Sequence, residues 1–540
     1  MKRLFSVFLI FTMLLACSSC SESGTGRTIL YAISASPSTL DPQFASESGA
    51  KIVINNVFEG LVRYNSDGEI IPGIAESWSV SEDGLVYTFN LKPDTEWFCP
   101  STLKSELGSE LYEHFSTETV KAKDFAFAMQ RAVNPATASP NAHRLSVVEN
   151  ASDIIAGREP VSNLGAEAKG DYTLEIRLSE KCDDFLSRLT ESVCMPCNED
   201  FFNAMSGRYG LSNRYIMCNG PFYISSWDSE TSLTIKKNNY YAGGQEVLPA
   251  SVVFSFDSSN KSIAEKLGKG DVSAAFISSD SVLPENAKVL KETPNTVMLL
   301  AFNCADSYLK NSSLRQALSH AIDPALFDAS SSGIESQQGL VPGSCRIGEY
   351  NYRSAVGSQT KQLSFNISEA QKLWETALSE LEASKINLGI LCPAEFETQM
   401  RYQLQLWQQT FGIDLAVTVE TALPEDIDKA VASGKYQIAL TGVDASGENT
   451  IDFLNKFNSG GVFRYSSNNY SGIIDNLYSS SNSNEILEGC FAAETLLLQE
   501  AVCYPLYSRS SYFALSADAA DITVLDSEST VCFINAKRYD

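Results

Sequence analysis

The stretch PGIAESWSVSEDGLVYTFNL, residues 72–91, carries the clearest structural pattern in this 540-residue chain. Its Glu82-Asp83-Gly84 segment is typical of a tight turn, and the residues from Val86 to Leu91 largely alternate between polar and apolar. Together they predict a β-hairpin. A second turn signal, Asn65-Ser66-Asp67-Gly68, lies between two short apolar pairs just before this stretch. The beginning of the folded chain is therefore predicted to be rich in β-structure.

Strand and helix patterns continue to alternate along the rest of the chain. The segments 28–33 and 173–178 alternate like strands, and the apolar run 296–302 is typical of a core strand. The predicted helices are Ala50 to Phe58, Val120 to Ala132, Ser313 to Ile322, Ser368 to Leu381 with Ser368 as its cap, and Gln403 to Phe411, which leads into a strand from Ile413 to Val419. A chain of this length is enough for about two to four mixed α/β domains.

The N-terminus has the features of an export signal. Lys2 and Arg3 precede an apolar run from Leu4 to Ala16, which is too short to span a membrane. The segment Leu14-Leu15-Ala16-Cys17 resembles the lipobox of bacterial lipoproteins, which implies that a diacylated Cys17 becomes the mature N-terminus. Cys20 is a second candidate, and an ordinary cleaved signal peptide is the other alternative. We expect residues 1–16 to be removed and 17–27 to form a tether.

Composition restricts the partners of this protein. The formal net charge of −26 argues against binding to nucleic acid or to anionic lipid, since both are polyanions. The cysteines after Cys20 are odd in number and irregularly spaced, so they do not indicate a disulfide framework. Cys194-Met195-Pro196-Cys197 could be a redox pair or half of a zinc site, but no second pair follows, and packing is the favoured interpretation.

The sequence contains few of the residues and motifs that enzymes commonly use for catalysis. The chain has only three histidines, His114, His143 and His320, and it contains no HExxH, GxSxG, P-loop or dinucleotide-binding motif. We therefore expect no catalytic residue, no metal site and no cofactor. Carboxylates are abundant, so a secreted two-carboxylate hydrolase stays as a remote enzyme alternative.

Several phrases, taken together and in order, resemble the oligopeptide-binding proteins of ABC importers, the cluster C solute-binding proteins of family 5. The resemblance runs from about Ile29 to the C-terminus. Besides residues 72–89, the phrases are Ser38-Thr39-Leu40-Asp41-Pro42, Phe58-Glu59-Gly60-Leu61, Ala122-Lys123-Asp124-Phe125, Asn134-Pro135-Ala136-Thr137-Ala138-Ser139-Pro140, Asn219-Gly220-Pro221-Phe222, Lys237-Asn238-Asn239-Tyr240-Tyr241, Leu314-Arg315-Gln316-Ala317-Leu318-Ser319 and Ala321-Ile322-Asp323.

The resemblance implies an α/β fold of the type II periplasmic-binding-protein class, a Venus flytrap of three lobes with a hinge. Lobe I is expected in three pieces, with the chain crossing twice between lobes I and III at the hinge. The implied boundaries are 28–59, 172–285 and 506–540 for lobe I, 60–171 for lobe II and 286–505 for lobe III. The segment from Phe98 to Ser116 is an insertion relative to the family and is expected in lobe II.

The family also implies a ligand site between lobes I and III, where a peptide binds like an added β-strand. Residues 43–49 match the lobe I segment that pairs with the peptide, with Ser46 and Ser48 at the contacting positions. The position of the family's ammonium-binding aspartate carries Ser446, with Asp444 and Glu448 two residues to either side. Either acid could reach the ligand from an extended strand, or both could be solvated.

Tyr507 is a candidate for the wall of the ligand pocket. The alternative is that it is an ordinary core residue.

The function implied by the resemblance is non-enzymatic. We expect a monomeric, lipid-anchored receptor on the extracytoplasmic face of the cell membrane that delivers peptides to an ABC permease and its ATPase subunits. The alternatives are a receptor of the same fold for a dipeptide, a nickel complex or a glycan fragment, and a peptide sensor or adhesin that does not take part in transport.

Overall fold

The computed structural model describes residues 27–279, 281–327, 334–336, 339–348, 350–359, 362–445, 449–480, 482–525 and 531–539. Cys17, Cys20, Ser446 and Glu448 lie outside these residues, as does the predicted signal segment. Among the helices of the described chain, none combines the length and apolar character needed to cross a membrane.

Strands and helices alternate along the described chain, as the sequence predicts. The strands are β1 (Thr28–Ile33), β2 (Val62–Tyr64), β3 (Ile70–Pro72), β4 (Ala75–Val80), β5 (Val86–Leu91), β6 (Ala166–Gly170), β7 (Thr173–Arg177), β8 (Phe222–Asp228), β9 (Ser232–Lys237), β10 (Ser251–Phe256), β11 (Ala274–Ser278), β12 (Lys288–Phe302), β13 (Ile334–Ser336), β14 (Arg346–Ile347), β15 (Tyr350–Asn351), β16 (Ile386–Pro393), β17 (Leu415–Ala422), β18 (Ile438–Asp444), β19 (Cys503–Leu515), β20 (Ala519–Ala520), β21 (Thr523–Val524), β22 (Val531–Cys532) and β23 (Lys537–Arg538). The α-helices are α1 (Ser48–Val57), α2 (Lys104–Leu107), α3 (Ser109–Ser116), α4 (Ala122–Val133), α5 (Ala151–Ile155), α6 (Phe185–Arg188), α7 (Glu199–Ala204), α8 (Asn260–Lys269), α9 (Ser312–His320), α10 (Tyr352–Val356), α11 (Ile367–Glu380), α12 (Glu397–Phe411), α13 (Pro424–Ser433), α14 (Thr450–Asn455), α15 (Asn468–Ser479) and α16 (Ser483–Gln499).

The hairpin predicted from residues 72–91 is confirmed. Strands β4 and β5 pair antiparallel, with Trp78 opposite Phe89. Gly84 takes a positive φ of 75° in the turn, a conformation that glycine adopts without strain. The Asp83 carboxylate accepts a hydrogen bond from the Leu85 N–H at 3.0 Å. Strands β6 and β7 extend the hairpin into a four-stranded sheet in the order β4-β5-β7-β6.

Most of the remaining strands form one large mixed sheet in the order β17-β16-β18-β12-β19-β11-β1-β10-β9-β8, with β13 paired to β19. Strands β16, β17 and β18 run parallel to one another. On the other side of the sheet, β1 runs parallel to both β10 and β11.

The hydrophobic cores divide the molecule into two parts. The first core gathers residues from 29–274 and 513–536, which we call the N-terminal part. Two further cores use residues 297–507, which we call the central part. Strands β12 and β19 pair along their length, and they belong to the sheet of both parts. The register shifts between Pro294 and Thr296, where the sheet passes from one part to the other. The division into three lobes stays a prediction.

Two helix starts in the central part differ from the sequence expectation. Helix α11 is capped by Asn366, whose side-chain oxygen accepts from the Glu369 N–H at 3.1 Å, and Ser368 lies inside the helix. Helix α12 starts at Glu397 and not at Gln403. Its first turns are mostly polar, so the apolar spacing that signals a helix becomes visible only further along. The following strand starts at Leu415, two residues after the predicted Ile413.

A buried polar cluster attaches the segment after β1 to helix α4. The Arg131 guanidinium donates to both carboxylate oxygens of Asp41, at 2.7 and 2.5 Å. It also contacts the Gln43 side-chain oxygen, while the Gln43 amide donates to the carbonyls of Val193 and Met195 at 3.2 and 2.8 Å. Since all the charged groups have partners, the cluster holds residues 41–43 in place without an uncompensated buried charge.

This cluster predicts a large loss of stability on replacing Arg131 by Met, because Asp41 would be left buried and unpaired. We expect the free energy of unfolding of the N-terminal part to fall by about 3–5 kcal/mol, measured by denaturant titration. The control is Arg158→Met, which breaks the exposed 2.6 Å ion pair with Asp153 and should cost less than about 1 kcal/mol. Equal effects of the two variants would contradict the role given to Arg131.

Candidate functional site

The carboxyl ends of the parallel strands define where a ligand can enter. In the N-terminal part these ends are Ile33, Phe256 and Ser278, and in the central part they are Pro393, Ala422 and Asp444. Loops at the carboxyl ends of parallel strands are the usual place for ligand binding in α/β sheets. Residues at or next to several of these ends line one cleft.

The cleft has a volume of about 320 Å³ and lies between the two parts. Its walls and floor are formed by Asn260 and 276–278 of the N-terminal part, by Asn295, Thr296, Met298 and 509–511 of strands β12 and β19, and by Pro393, Glu395, Pro424, Ile427, Asp428, 440–442 and Asp444 of the central part.

One edge of strand β18 lies open along this cleft. Within the described residues, β18 pairs with β16 only through Ile438 and Ala439, whereas its other edge pairs with β12 as far as Asp444. The backbone from Leu440 to Val443 therefore has no strand of the described chain beside it on this edge, while the Asp444 carbonyl accepts a hydrogen bond from the Lys456 ammonium. Such an edge can accept an extended chain as an added strand.

Charged groups of both signs surround this edge. Asp428 and Asp444 lie on the side of the central part, and the Arg509 guanidinium lies at the floor. Burial raises the pKa of Asp428, although the Thr441 hydroxyl donates to its carboxylate at 2.9 Å and opposes the shift. The Arg509 guanidinium lies 3.5 Å from the Tyr507 hydroxyl. Asp428, Asp444 and Arg509 thus place charges of both signs along the cleft.

Asp444 and Tyr507 occupy different places relative to the cleft. Asp444 is exposed at the end of β18 and lines the cleft. Tyr507 is 2% exposed and packs in the core behind the floor, with its ring 5.9 Å from that of Phe396. Its contact with the cleft runs through Arg509.

Ser46 and Ser48 lie near the same edge of the sheet but outside the lining of this cleft. Ser46 is exposed, and Ser48 is the first residue of helix α1. The carbonyl of Ala45, just before them, accepts a hydrogen bond from the Asn141 side chain at 2.9 Å. Their role as ligand contacts stays a prediction.

The stretch that begins with Asn141 also reaches the central part. His143 and Arg144 contact Asp452 at the start of α14, and the Ser146 hydroxyl donates to the carbonyl of Tyr478 at 2.6 Å. Sequence analysis missed Arg144, Asp452, Asp428 and Arg509. No local motif marks them, because partners such as Arg144 and Asp452 come together only through the tertiary fold.

The surroundings of the cysteine pair and of one group of possible metal ligands suit packing and ion pairing. Burial raises the pKa of the Cys197 thiol to about 12 and that of Cys194 still higher, which suits packing rather than redox chemistry. The ligand atoms of His114, Glu118 and Asp200 lie within 4.8 Å of one another. However, the Lys123 ammonium lies 3.8 and 3.6 Å from the two carboxylates and offsets part of their charge.

Comparisons with known proteins agree with this geometry. The model of the bacterial extracellular solute-binding proteins, family 5 Middle, matches residues 69–464. The chain is 25% identical over 530 residues to the dipeptide-binding protein of Lactococcus lactis subsp. cremoris, covering 91% of this chain and 89% of that protein. It is 24% identical over 494 residues to the oligopeptide-binding protein OppA of Bacillus subtilis, covering 85% and 84%.

A solved structure shows the same fold. The structure of Listeria monocytogenes OppA bound to peptide matches with a TM-score of 0.73 at 22% identity, covering 95% of this chain and 99% of that one. This confirms the predicted α/β class of the type II periplasmic binding proteins. The family match covers most of the chain, and it confirms the resemblance drawn from the sequence phrases. The chain therefore belongs to the bacterial extracellular solute-binding proteins of family 5.

Proposed function

We propose that this protein captures peptides outside the cytoplasm and delivers them to the permease of an ABC importer. The observation that carries the proposal is the open edge of β18 from Leu440 to Val443, which faces a cleft between two separately packed parts. An extended peptide backbone supplies the donors and acceptors that such an edge lacks. The relatives named for dipeptide and oligopeptide binding support the same ligand class.

Side chains in the cleft would fix the direction of the peptide. Asp444, or Glu448 beyond Ser446, would bind the α-ammonium group, and Arg509 would attract a carboxylate of the ligand. Ser46 and Ser48 would contact the peptide from the N-terminal part. Backbone pairing contributes affinity for every peptide, whereas these charges discriminate between free and blocked termini.

The protein would act by binding alone, as the names of its relatives in family 5 indicate for those proteins. Delivery would depend on partners: a permease that receives the peptide and ATPase subunits that supply the energy. The receptor would work as a monomer, held at the outer face of the membrane by acyl chains on Cys17. Two chains on one cysteine give stable anchoring.

Peptide binding should raise the thermal stability of the purified soluble form. Peptides of about two to ten residues are titrated, each with a free or an N-acetylated N-terminus. At a hundredfold excess over Kd, a bound peptide stabilises the folded state by about 2.7 kcal/mol. No shift with any peptide would refute peptide capture, and a glycan fragment or a metal complex would then be tested in the same assay.

Replacing Asp444 by Asn separates the ammonium contact from the backbone contact. We expect about tenfold weaker binding of peptides with a free N-terminus, or about 1.4 kcal/mol, and unchanged binding of acetylated peptides, measured by calorimetry. The matched control is Asp426→Asn, which removes an exposed carboxylate that pairs with Lys429 on helix α13 at 3.2 Å. Equal affinities of the Asp444 variant and the parent protein for free peptides would remove Asp444 from the site.

Lipid attachment is tested by labelling cells with a radioactive fatty acid. Cys17→Ala should abolish the labelling of this protein and release it from the membrane fraction, while Cys20→Ala should keep both. The opposite result would assign the anchor to Cys20. Labelling of neither form would show that the signal is of the ordinary cleaved type.

A further inference from the structure

A charged cluster joins the two parts of the molecule at a point away from the lining of the cleft. One carboxylate oxygen of Asp452 lies 3.3 Å from the His143 imidazole and accepts a hydrogen bond from the Tyr478 hydroxyl at 3.0 Å. The other carboxylate oxygen pairs with the Arg144 guanidinium. Arg144 and Asp452 are only 15% and 14% exposed.

The cluster spans two separate hydrophobic cores. Arg144 and His143 lie in a short 3₁₀ turn, Ala142–Leu145, whose Leu145 belongs to the core of the N-terminal part. Asp452 is followed by Phe453, which belongs to a core of the central part. Moving the central part away from residues 142–146 would break these ion pairs and the Ser146–Tyr478 hydrogen bond together.

The electrostatics favour the assembled cluster. Burial alone would raise the pKa of Asp452, but Arg144, His143 and the Tyr478 hydroxyl together hold it well below its ordinary value. A depressed carboxyl pKa means that the stabilisation is fully present above the ordinary value of about 4 and is lost as the pH falls below it. The Asp452 carboxyl is therefore ionised near neutral pH and pairs with the Arg144 guanidinium.

Neighbouring charges leave the cluster balanced. The Arg144 guanidinium also lies 3.3 Å from the Glu191 carboxylate. Arg188, close by in the same region, pairs with Asp184 at 3.2 Å. Asp452 thus faces the Arg144 guanidinium, which Glu191 also holds from the N-terminal part, and this reduces the entropy lost when the contact forms.

We propose that Asp452 and Arg144 form a closing contact that sets the affinity for the ligand without touching it. Asp452 lies six residues beyond Ser446, the position expected to bind the ligand's ammonium group, and its carboxylate is already occupied by Arg144. The contact stabilises the closed arrangement of the two parts before any ligand is present. The fraction of closed molecules then scales the apparent affinity for every ligand. The effect on ligand affinity rests on the proposed function, whereas the stabilisation of the closed arrangement does not.

The test uses Asp452→Asn, Arg144→Met and the double variant, each compared with the parent protein. In the absence of ligand, small-angle X-ray scattering should show a larger radius of gyration for all three variants. Peptide affinity should fall about tenfold for each single variant and by the same factor for every peptide, free or acetylated. The double variant should be no weaker than either single one, because the two side chains act through one contact.

Two controls distinguish closure from general damage. Asp153→Asn breaks the exposed Asp153–Arg158 ion pair inside the N-terminal part, and it should change neither the scattering nor the affinity. Tyr478→Phe removes a single hydrogen bond to Asp452, and it should give a smaller effect of the same kind.

Unchanged scattering of the ligand-free Asp452→Asn and Arg144→Met variants would overturn the proposal, as would losses of affinity that differ from peptide to peptide. If no peptide binds the parent protein, the proposed function fails, but the scattering still decides whether the contact closes the molecule.

Discussion

The pairing of β12 with β19 is the constraint on which the rest of the structure depends. Other strands of the large sheet belong to one part or the other, while these two carry the hydrogen-bonded ladder from the N-terminal part into the central part. The buried Asn295 amide also donates to the Ser511 hydroxyl across the ladder at 2.6 Å. The floor of the cleft is therefore a stiff element. Relative motion of the two parts has to be absorbed by twisting these strands or by the loops at their ends.

A stiff floor explains why the cleft and the closing contact are separate. The open edge of β18 is tied through β12 to this floor, whereas Asp452 lies at the start of helix α14 and contacts Arg144 of the N-terminal part directly. In the proposed function the edge would pair with the ligand, whereas Asp452 pairs with Arg144. In this arrangement a receptor can accept peptides of varied sequence, because part of the closing free energy comes from its own side chains and is independent of the ligand.

Local features were predictable from the sequence, and long-range ones were not. The hairpins at 65–68 and 82–84 follow from turn residues next to alternating strands, and the family follows from the order of several short phrases. Asn366, and not Ser368, caps helix α11. Both residue types suit a cap position, so the choice depends on where the backbone becomes helical. Arg144 and Asp452 are 308 residues apart. Each looks like an ordinary surface charge until the fold brings them together, and Arg509 at the floor of the cleft is likewise unmarked in the sequence.

The direction of β1 has a consequence for the whole receptor. Thr28 starts this strand beside Arg538 and Tyr539, at the edge opposite the carboxyl ends. The six residues of β1 separate the two edges by about 20 Å. If Cys17 carries the lipid anchor, the anchored chain enters the fold at the edge opposite the cleft. The open side of the cleft would then face away from the membrane. A receptor anchored in this way would have to rotate before its cleft could face a permease in the same membrane.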